Sequence, residues 1–313
     1  MIRTPGGFAF ACIAVVFGAI ALTAAARAQH VLREEPITPI PSPSVDAPKA
    51  VLGEMLYMDP RLSANGRLSC QSCHDVWTNG ATDKRFDPDA DGHPFSLNTP
   101  TVFNSALSFR LNWEGNLRSL DDLVIVSLHN PKLMGAGGPA ALARLKADPA
   151  TATRFRVIYG RDVDEAGIAD AISVYMRSLT TPGARFDRWL MGDAGALSAQ
   201  ELRGYARFKS AGCISCHQGV NVGGNLFQKH GVFHPLAAPL PAILRVPSLR
   251  NVAVTGPYFH DGSAPTLRDA VRSMGLAQLD LTLSEHDVDD IVAFLRTLTG
   301  EYRGRPLTPA HSQ

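Results

Sequence analysis

The sequence predicts an all-α chain that contains two copies of one helical module, with long loops between the helices. Three observations support this fold class. A Cys-x-x-Cys-His motif occurs twice, each copy is followed by a helix of similar sequence, and runs with the alternation of a β-strand are scarce. With 313 residues, 45% of them hydrophobic, the chain can bury two cores, which excludes a disordered or coiled-coil protein.

The N-terminus has the features of an export signal. Residues 4–26 carry no charge, residues 8–22 are mostly apolar, and Ala26-Arg27-Ala28 supplies the small residues of a cleavage site. We therefore expect a cleaved signal peptide over residues 1–28, which would remove Cys12 as well. An uncleaved membrane anchor is the alternative, because the stretch is almost long enough to span a bilayer.

Local signals set the predicted domain boundaries. Residues 29–48 are rich in Pro and Ser and predict an extended tether. Apolar residues at helical spacing begin near Lys49, and Ser198 with Glu201 predicts a capping box in the second module. Ser284 is the expected N-cap of the last helix. The predicted segments are a signal (1–28), a tether (29–48), a first module (49–181), a linker (182–196), a second module (197–300) and a tail (301–313).

The last helix of each module shows the duplication most clearly. Residues 171–181 (AISVYMRSLTT) resemble residues 290–300 (DIVAFLRTLTG) in length, apolar spacing and the position of the arginine. Self-similarity of this kind indicates two copies of one structural unit.

The two Cys-x-x-Cys-His motifs are the attachment signature of haem c. Two thiols three residues apart at the start of a helix face one side and form thioethers with the haem vinyl groups, and the next residue offers an imidazole to the iron. A thiol-disulfide or zinc motif is the alternative, and the following histidine favours haem. We therefore predict two covalently bound haem c groups, held by Cys70, Cys73 and His74 and by Cys213, Cys216 and His217.

The second axial ligands differ between the modules. Met274 lies ahead of the last helix, where a cytochrome c module commonly supplies a thioether, although a core methionine is the plain alternative. Met274 precedes Arg296, the arginine of the last helix. The same number of residues before Arg177, the matching arginine of the first module, stands Phe155, which is no ligand. The first haem is therefore open, or is capped by a side chain from elsewhere.

Three residues are candidate caps for the first haem. His93 is the leading one, because its surroundings, rich in Asp, Gly and Pro, predict a surface loop that can move. A solvated side chain is the alternative for a lone loop histidine. His129 and Met134 are weaker candidates near a glycine-rich stretch.

From residue 49 to residue 298 the sequence resembles the bacterial dihaem cytochrome c peroxidases and the related MauG-type enzymes. The resemblance lies in residues 52–63 (LGEMLYMDPRLS), 98–104 (NTPTVFN), 185–189 (RFDRW) and 257–262 (PYFHDG). It implies two cytochrome c-like domains. A low-potential N-terminal haem would react with hydrogen peroxide, and a high-potential C-terminal haem would accept electrons from a small c-type cytochrome or cupredoxin in the periplasm.

The resemblance also implies roles for single residues. Met274 matches the methionine ligand of the high-potential haem, and His93 falls where these peroxidases carry the histidine that leaves the first haem on reductive activation. Trp113 matches the tryptophan between the haems, although an aromatic core residue is the plain alternative. A Ca²⁺ site is implied at Asn98 with the backbone of Thr255 and Pro257.

One departure concerns the peroxide pocket. The family carries a distal glutamate, with a glutamine ten residues before it, to move protons between the peroxide oxygens. Aligned on Trp113 and on Asn130-Pro131, the glutamine position holds Leu123 and the glutamate position holds Leu133. A missing general acid-base group costs about 10² to 10⁴ in rate. Glu114 and His129 are the candidate substitutes.

Three functions follow for comparison. The leading one is a peroxidase that reduces hydrogen peroxide to water with electrons from a cytochrome c or cupredoxin. The second is MauG-like oxidation of a partner protein by peroxide or oxygen, against which Met274 argues, because the MauG-type enzyme proper has a tyrosine ligand there. The third is a non-catalytic dihaem electron carrier. A homodimer is left open, and nucleic-acid binding is excluded because 30 basic residues stand against 29 acidic ones without a basic run.

Overall fold

The computed structural model describes residues 1–2, 32–135, 138–236 and 243–310. Val31–Gln313 form one compact unit, which contains both Cys-x-x-Cys-His motifs. Of the other unit, Met1–His30, only Met1 and Ile2 are described, so the expected signal peptide and Cys12 lie outside the described residues. Within the described part of the chain, no helix is long and apolar enough to cross a membrane.

Helices dominate the described residues, which confirms the predicted all-α class. The α-helices are α1 (Ala47–Tyr57), α2 (Leu120–His129), α3 (Gly138–Ala147), α4 (Pro149–Tyr159), α5 (Glu165–Ser178), α6 (Arg185–Leu190), α7 (Ala199–Ser210), α8 (Leu267–Leu279) and α9 (Glu285–Arg296). Two short antiparallel pairs accompany them: β1 (Phe227–Lys229) with β2 (Ile243–Arg245), and β3 (Glu301–Tyr302) with β4 (Arg305–Pro306).

The helix starts follow the local signals. The Asp46 side chain caps α1 by accepting the Lys49 amide, so that helix begins two residues before Lys49. Ser198 and Glu201 form the expected capping box of α7. Ser284 caps α9 in the same way, with Asp287 as its partner.

Each module is built on a helix crossing in which a glycine lies against a backbone carbonyl. Gly53 of α1 faces the Ala171 carbonyl of α5, and Gly204 of α7 faces the Asp290 carbonyl of α9. A β-carbon at either glycine would lie well inside van der Waals contact with that carbonyl. Ala171 and Asp290 open the two similar helix sequences, so the duplicated sequence folds into a duplicated crossing.

Replacing Gly204 with alanine should destabilise the second module. The new methyl group would push α7 away from α9, because the Asp290 carbonyl belongs to a helix and cannot rotate aside. We expect a loss of about 3 kcal/mol in the free energy of unfolding, at the upper end of the usual cost of overpacking. Urea unfolding of the haem-loaded protein measures this loss.

Gly195→Ala is the matched control for that substitution. Its nearest atom, Asp193 Oδ1, would lie 3.6 Å from the new β-carbon, which is ordinary contact. The control should stay within about 0.5 kcal/mol of the wild type. Equal unfolding midpoints for the two variants would contradict the role of the crossing.

The duplication extends beyond the helices. Asn104 and Asn251 both adopt left-handed backbone conformations, with φ of 60° and 63°, before a short 3₁₀ turn. Their backbone amides donate to the carbonyls of equivalent leucines, Leu179 O at 2.8 Å and Leu298 O at 3.1 Å. Two hairpins are equivalent as well: Leu111 bridges Leu117, and Tyr258 bridges Ala264. The two asparagines are separated by the same number of residues as the equivalent positions of the two hairpins. Leu179 and Leu298 are separated by a different number.

Buried hydrophobic side chains form two clusters, one around α1 and α5 and one around α7 and α9. Three segments pack more tightly than the sequence suggested. The expected tether buries Ile37 in the second cluster, the expected linker contains α6 with Phe186 fully buried, and the expected tail buries Tyr302 against the first cluster. A few apolar residues among prolines and charges are enough to anchor these segments, and such isolated residues show no periodicity.

Candidate haem sites

Both Cys-x-x-Cys-His motifs adopt the same local structure. Cys70–Ser72 and Cys213–Ser215 each form one 3₁₀ turn, where the sequence suggested the start of a longer helix. The amide of His74 donates to Cys70 O at 3.0 Å, and that of His217 donates to Cys213 O at 3.1 Å. This turn fixes the backbone of each histidine relative to the two cysteines that precede it.

The four cysteines of the two motifs form no disulfide, and their environment does not suit disulfide exchange. Burial raises the pKa of Cys70 to about 12 and that of Cys73 and Cys213 to about 11. A redox-active thiol needs the opposite, a lowered pKa that favours the thiolate. The sites therefore fit covalent haem attachment better than thiol-disulfide chemistry.

The second motif opens onto a cavity of about 690 Å³, its open mouth included. The lining is mostly apolar, with a few polar groups, as expected of a cofactor site. It brings together Cys213, Cys216, His217, Met274 and Trp113, with His230, Arg245 and His260 among the other lining residues.

His217 is prepared to bind a metal. Its side chain is buried, and its Nδ1 lies 3.2 Å from the Val222 carbonyl, which favours a proton on Nδ1 and leaves Nε2 for iron. Burial lowers the pKa of His217 to about 4, so the imidazole is neutral at physiological pH. These residues fit a haem c group.

The first motif has a similar histidine. Burial lowers the pKa of the buried His74 imidazole, and backbone groups of Gly80 and Pro100 oppose this shift in part. The Tyr57 hydroxyl donates to the His74 carbonyl at 3.0 Å and fixes the turn on the first core. A neutral imidazole on a fixed turn again fits a haem ligand.

Met274 lies on α8 and lines the second cavity. The matched hairpins and helix caps equate α8 with α2, since Thr266 and Ser119 cap the two helices in the same way. In that register Met274 corresponds to Ser127. The count that led to Phe155 was wrong, because α3 and α4 are inserted between α2 and α5 of the first module only. Serine also offers no thioether.

The candidate caps of the first haem lie in different environments. His93 is on the surface, with its side chain 78% exposed and its Nδ1 3.7 Å from Asp89 Oδ1. His129 Nε2 contacts Glu165 Oε1 at 2.5 Å, and Met134 is buried in the first core. Ligation of the first haem by any of them stays a prediction.

The two leucines at the expected distal positions differ in exposure. Leu133 is 37% exposed in the loop after α2, and Leu123 packs partly buried against the first core. Glu114 is exposed, and its Oε2 accepts a hydrogen bond from Asn116.

Asn98 joins the two modules. Its backbone amide donates to His260 O at 2.7 Å, and its side-chain nitrogen donates to the carbonyls of Lys84 and Arg85. The Trp113 indole donates to Asn98 O at 2.8 Å. This places the expected calcium residue beside the loop that carries Thr255 and Pro257, while the site itself stays a prediction.

Sequence reasoning missed His260. It occupies the position in its hairpin that Trp113 occupies in the other, and the two rings are in edge-to-face contact with centroids 6.3 Å apart. The His260 side chain is 2% exposed, and its Nε2 has no partner among the described residues. Aligning residues 111–117 with 258–264 would have found it.

Two haem c sites in one duplicated helical unit define a dihaem c-type oxidoreductase. Comparison with known proteins identifies the family. The family model for di-haem cytochrome c peroxidase matches residues 47–195, and the cytochrome c model matches residues 202–299. The chain belongs to the di-haem cytochrome c peroxidase family, and it is a peroxidase-type oxidoreductase with haem c cofactors.

Two relatives and one solved structure illustrate the similarity. Cytochrome c551 peroxidase of Nitrosomonas europaea is 40% identical over 286 residues, which cover 85% of each chain. The cytochrome c551 peroxidase of Pseudomonas aeruginosa is 35% identical and covers 89% of this chain and 87% of its own. The crystal structure of a MauG-like protein associated with microbial copper homeostasis superimposes with a TM-score of 0.76, 27% identity, and coverage of 84% of this chain and 94% of its own.

Proposed function

We propose that this protein is a periplasmic cytochrome c peroxidase that reduces hydrogen peroxide to two waters, taking two electrons from a small c-type cytochrome or cupredoxin and two protons from solvent. The observation that carries the proposal is the second cavity, where His217, Met274 and Trp113 lie around one haem site. A His/Met pair leaves iron without an open position and raises its potential, which suits an electron-accepting site.

The residues of the chain have distinct tasks in this proposal. The bound haems supply the redox chemistry. Trp113 is held by its indole hydrogen bond to Asn98 and contacts His260, so it lies at the junction of the two modules as a route for electrons. His93, whose side chain lies exposed on a surface loop, would be the ligand that leaves the first haem on reductive activation and so admits peroxide. We also propose Ca²⁺ at Asn98, Thr255 and Pro257.

The half-reduced protein provides the test. With one electron per molecule, the second haem should be reduced and low-spin, and the first should give the EPR signal of a high-spin ferric haem that binds cyanide. Peroxide should then oxidise reduced cytochrome c catalytically. A protein in which both haems stay six-coordinate in every redox state, without peroxide-dependent oxidation, would instead be an electron carrier.

MauG-like oxidation of a partner protein is the second candidate. Leu123 and Leu133 motivate it, because they depart from the distal residues that the peroxidase resemblance implies, whereas Met274 argues against it. Incubation with peroxide and periplasmic extract separates the two candidates. A covalently modified partner, found by mass spectrometry and absent without peroxide, supports the second one, and rapid cytochrome oxidation without modification supports the first.

A further inference from the structure

The second cavity contains a cation without an anionic partner. Arg245 lies at the end of β2 and is partly buried. Its backbone amide donates to Trp113 O at 2.8 Å, and its Nε donates to Asn112 O at 3.0 Å. Among the described residues, neither Nη1 nor Nη2 of Arg245 has a hydrogen bond to the protein, and no carboxylate pairs with the guanidinium.

The environment of this guanidinium favours an anionic ligand. Burial alone lowers the pKa of Arg245, since no carboxylate among the described residues raises it. A desolvated, unpaired cation is costly to a protein, and a bound carboxylate removes that cost. Lys229 also lines the cavity, but it is exposed on β1.

His260 adds a second unsatisfied donor or acceptor to the same cavity. Its Nε2 is buried without a partner among the described residues, and its ring packs against that of His230 with centroids 3.9 Å apart. The duplication relates this group to Arg245: Asn98 and Arg245 occupy equivalent positions, and each donates its amide to the hairpin of the other module, at His260 O and Trp113 O. Both Arg245 and His260 are therefore held at the module junction.

We propose that Arg245 and His260 bind the propionate carboxylates of the second haem, and that Arg245 is a positioning residue that raises the reduction potential of this haem. The propionates are the charged groups of the porphyrin, and the thioethers to Cys213 and Cys216 form at its vinyl groups. The Nε of Arg245 donates to Asn112 O, so the N–H groups of Nη1 and Nη2, which lie parallel, remain to bind a carboxylate. A fixed positive charge favours the reduced haem, since reduction adds one electron to it. The inference requires the second haem, which the family membership supports, and does not require peroxide turnover.

The test is an optical and EPR redox titration of the dihaem protein carrying Arg245→Gln. We expect the equilibrium constant for reduction of the second haem to fall at least tenfold, which is a lowering of about 59 mV for one electron. The equilibrium constant for reduction of the first haem should change less than twofold. Arg296→Gln is the matched control, because it removes an exposed arginine of the same module, and it should also change the constant less than twofold.

Two further variants guard against a failure to fold. Arg245→Lys keeps the charge but loses the paired N–H groups, so it should lower the constant about threefold, and His260→Phe should lower it by a similar factor. Haem content from the pyridine haemochrome spectrum verifies that each variant carries two haems. An equilibrium constant for reduction of the second haem within twofold of the wild type in Arg245→Gln, or in Arg245→Lys if the glutamine variant does not accumulate, would overturn the proposal. Unaltered potentials with normal peroxide turnover would reject this inference alone, whereas shifted potentials without turnover would reject the proposed function alone.

Discussion

Replacing Leu133 with glutamate should raise the rate of peroxide reduction by about 10² to 10⁴, the usual contribution of a positioned general acid-base group. Leu133 occupies the position at which the family resemblance implies a distal glutamate. Its side chain is 37% exposed, so a carboxylate can replace it without a large burial cost. The measurement is kcat/KM for peroxide in the oxidation of reduced cytochrome c.

A matched control exists on the preceding helix. Val126 on α2 is 44% exposed, so Val126→Glu adds the same charge to a similar surface and should leave the rate unchanged. Adding Leu123→Gln to Leu133→Glu should increase the gain, although Leu123 packs against the first core and the double variant should be less stable. A Leu133→Glu protein with two haems and the wild-type rate would show that proton transfer does not limit turnover.

Replacing Arg250 with methionine should cost about 3–5 kcal/mol in the free energy of unfolding, because it leaves a buried carboxylate without its cation. Arg250 Nη1 donates to Asp187 Oδ1 at 2.7 Å, and the two side chains are 0% and 2% exposed. The same guanidinium donates to the carbonyls of Val220 and Thr38, so one side chain ties α6, the second haem loop and the N-terminal segment together.

Urea unfolding of the haem-loaded protein measures the effect, and limited proteolysis reports whether the N-terminal segment is released. Arg156→Met is the control, because the Arg156–Asp162 pair is 63% and 70% exposed and should contribute less than about 1 kcal/mol. Asp187→Asn should destabilise as well, and the double variant should lose less than the sum of the single losses. A loss in Arg250→Met no larger than in the control would contradict the structural role of this pair.

Local chemistry made several features predictable from sequence. The capping box at Ser198 and the N-cap at Ser284 depend on residues close together in the chain, so a short window is enough to recognise them. The haem motifs are equally local. The buried Ile37 and Tyr302 were missed because their partners lie on distant elements, and no short pattern marks a segment that packs by one or two residues.

The register of the two modules shows where counting fails. A fixed distance from the last helix placed Phe155 opposite Met274, but the first module contains α3 and α4, which the second lacks. Only the paired hairpins, the shared helix caps and the two left-handed asparagines identified the equivalent residues.

By itself, the sequence determined the helical class, the duplication, both haem-attachment motifs and the resemblance to the dihaem peroxidases, because each depends on residue types at short, fixed spacing. The tertiary structure decided what surrounds the second site. It placed Met274, Trp113, His260 and Arg245 around one cavity and left His93 on the surface. The physical reason is that the burial and pairing of a polar group depend on elements far apart in the chain, and an unpaired buried charge becomes visible only after those elements have come together.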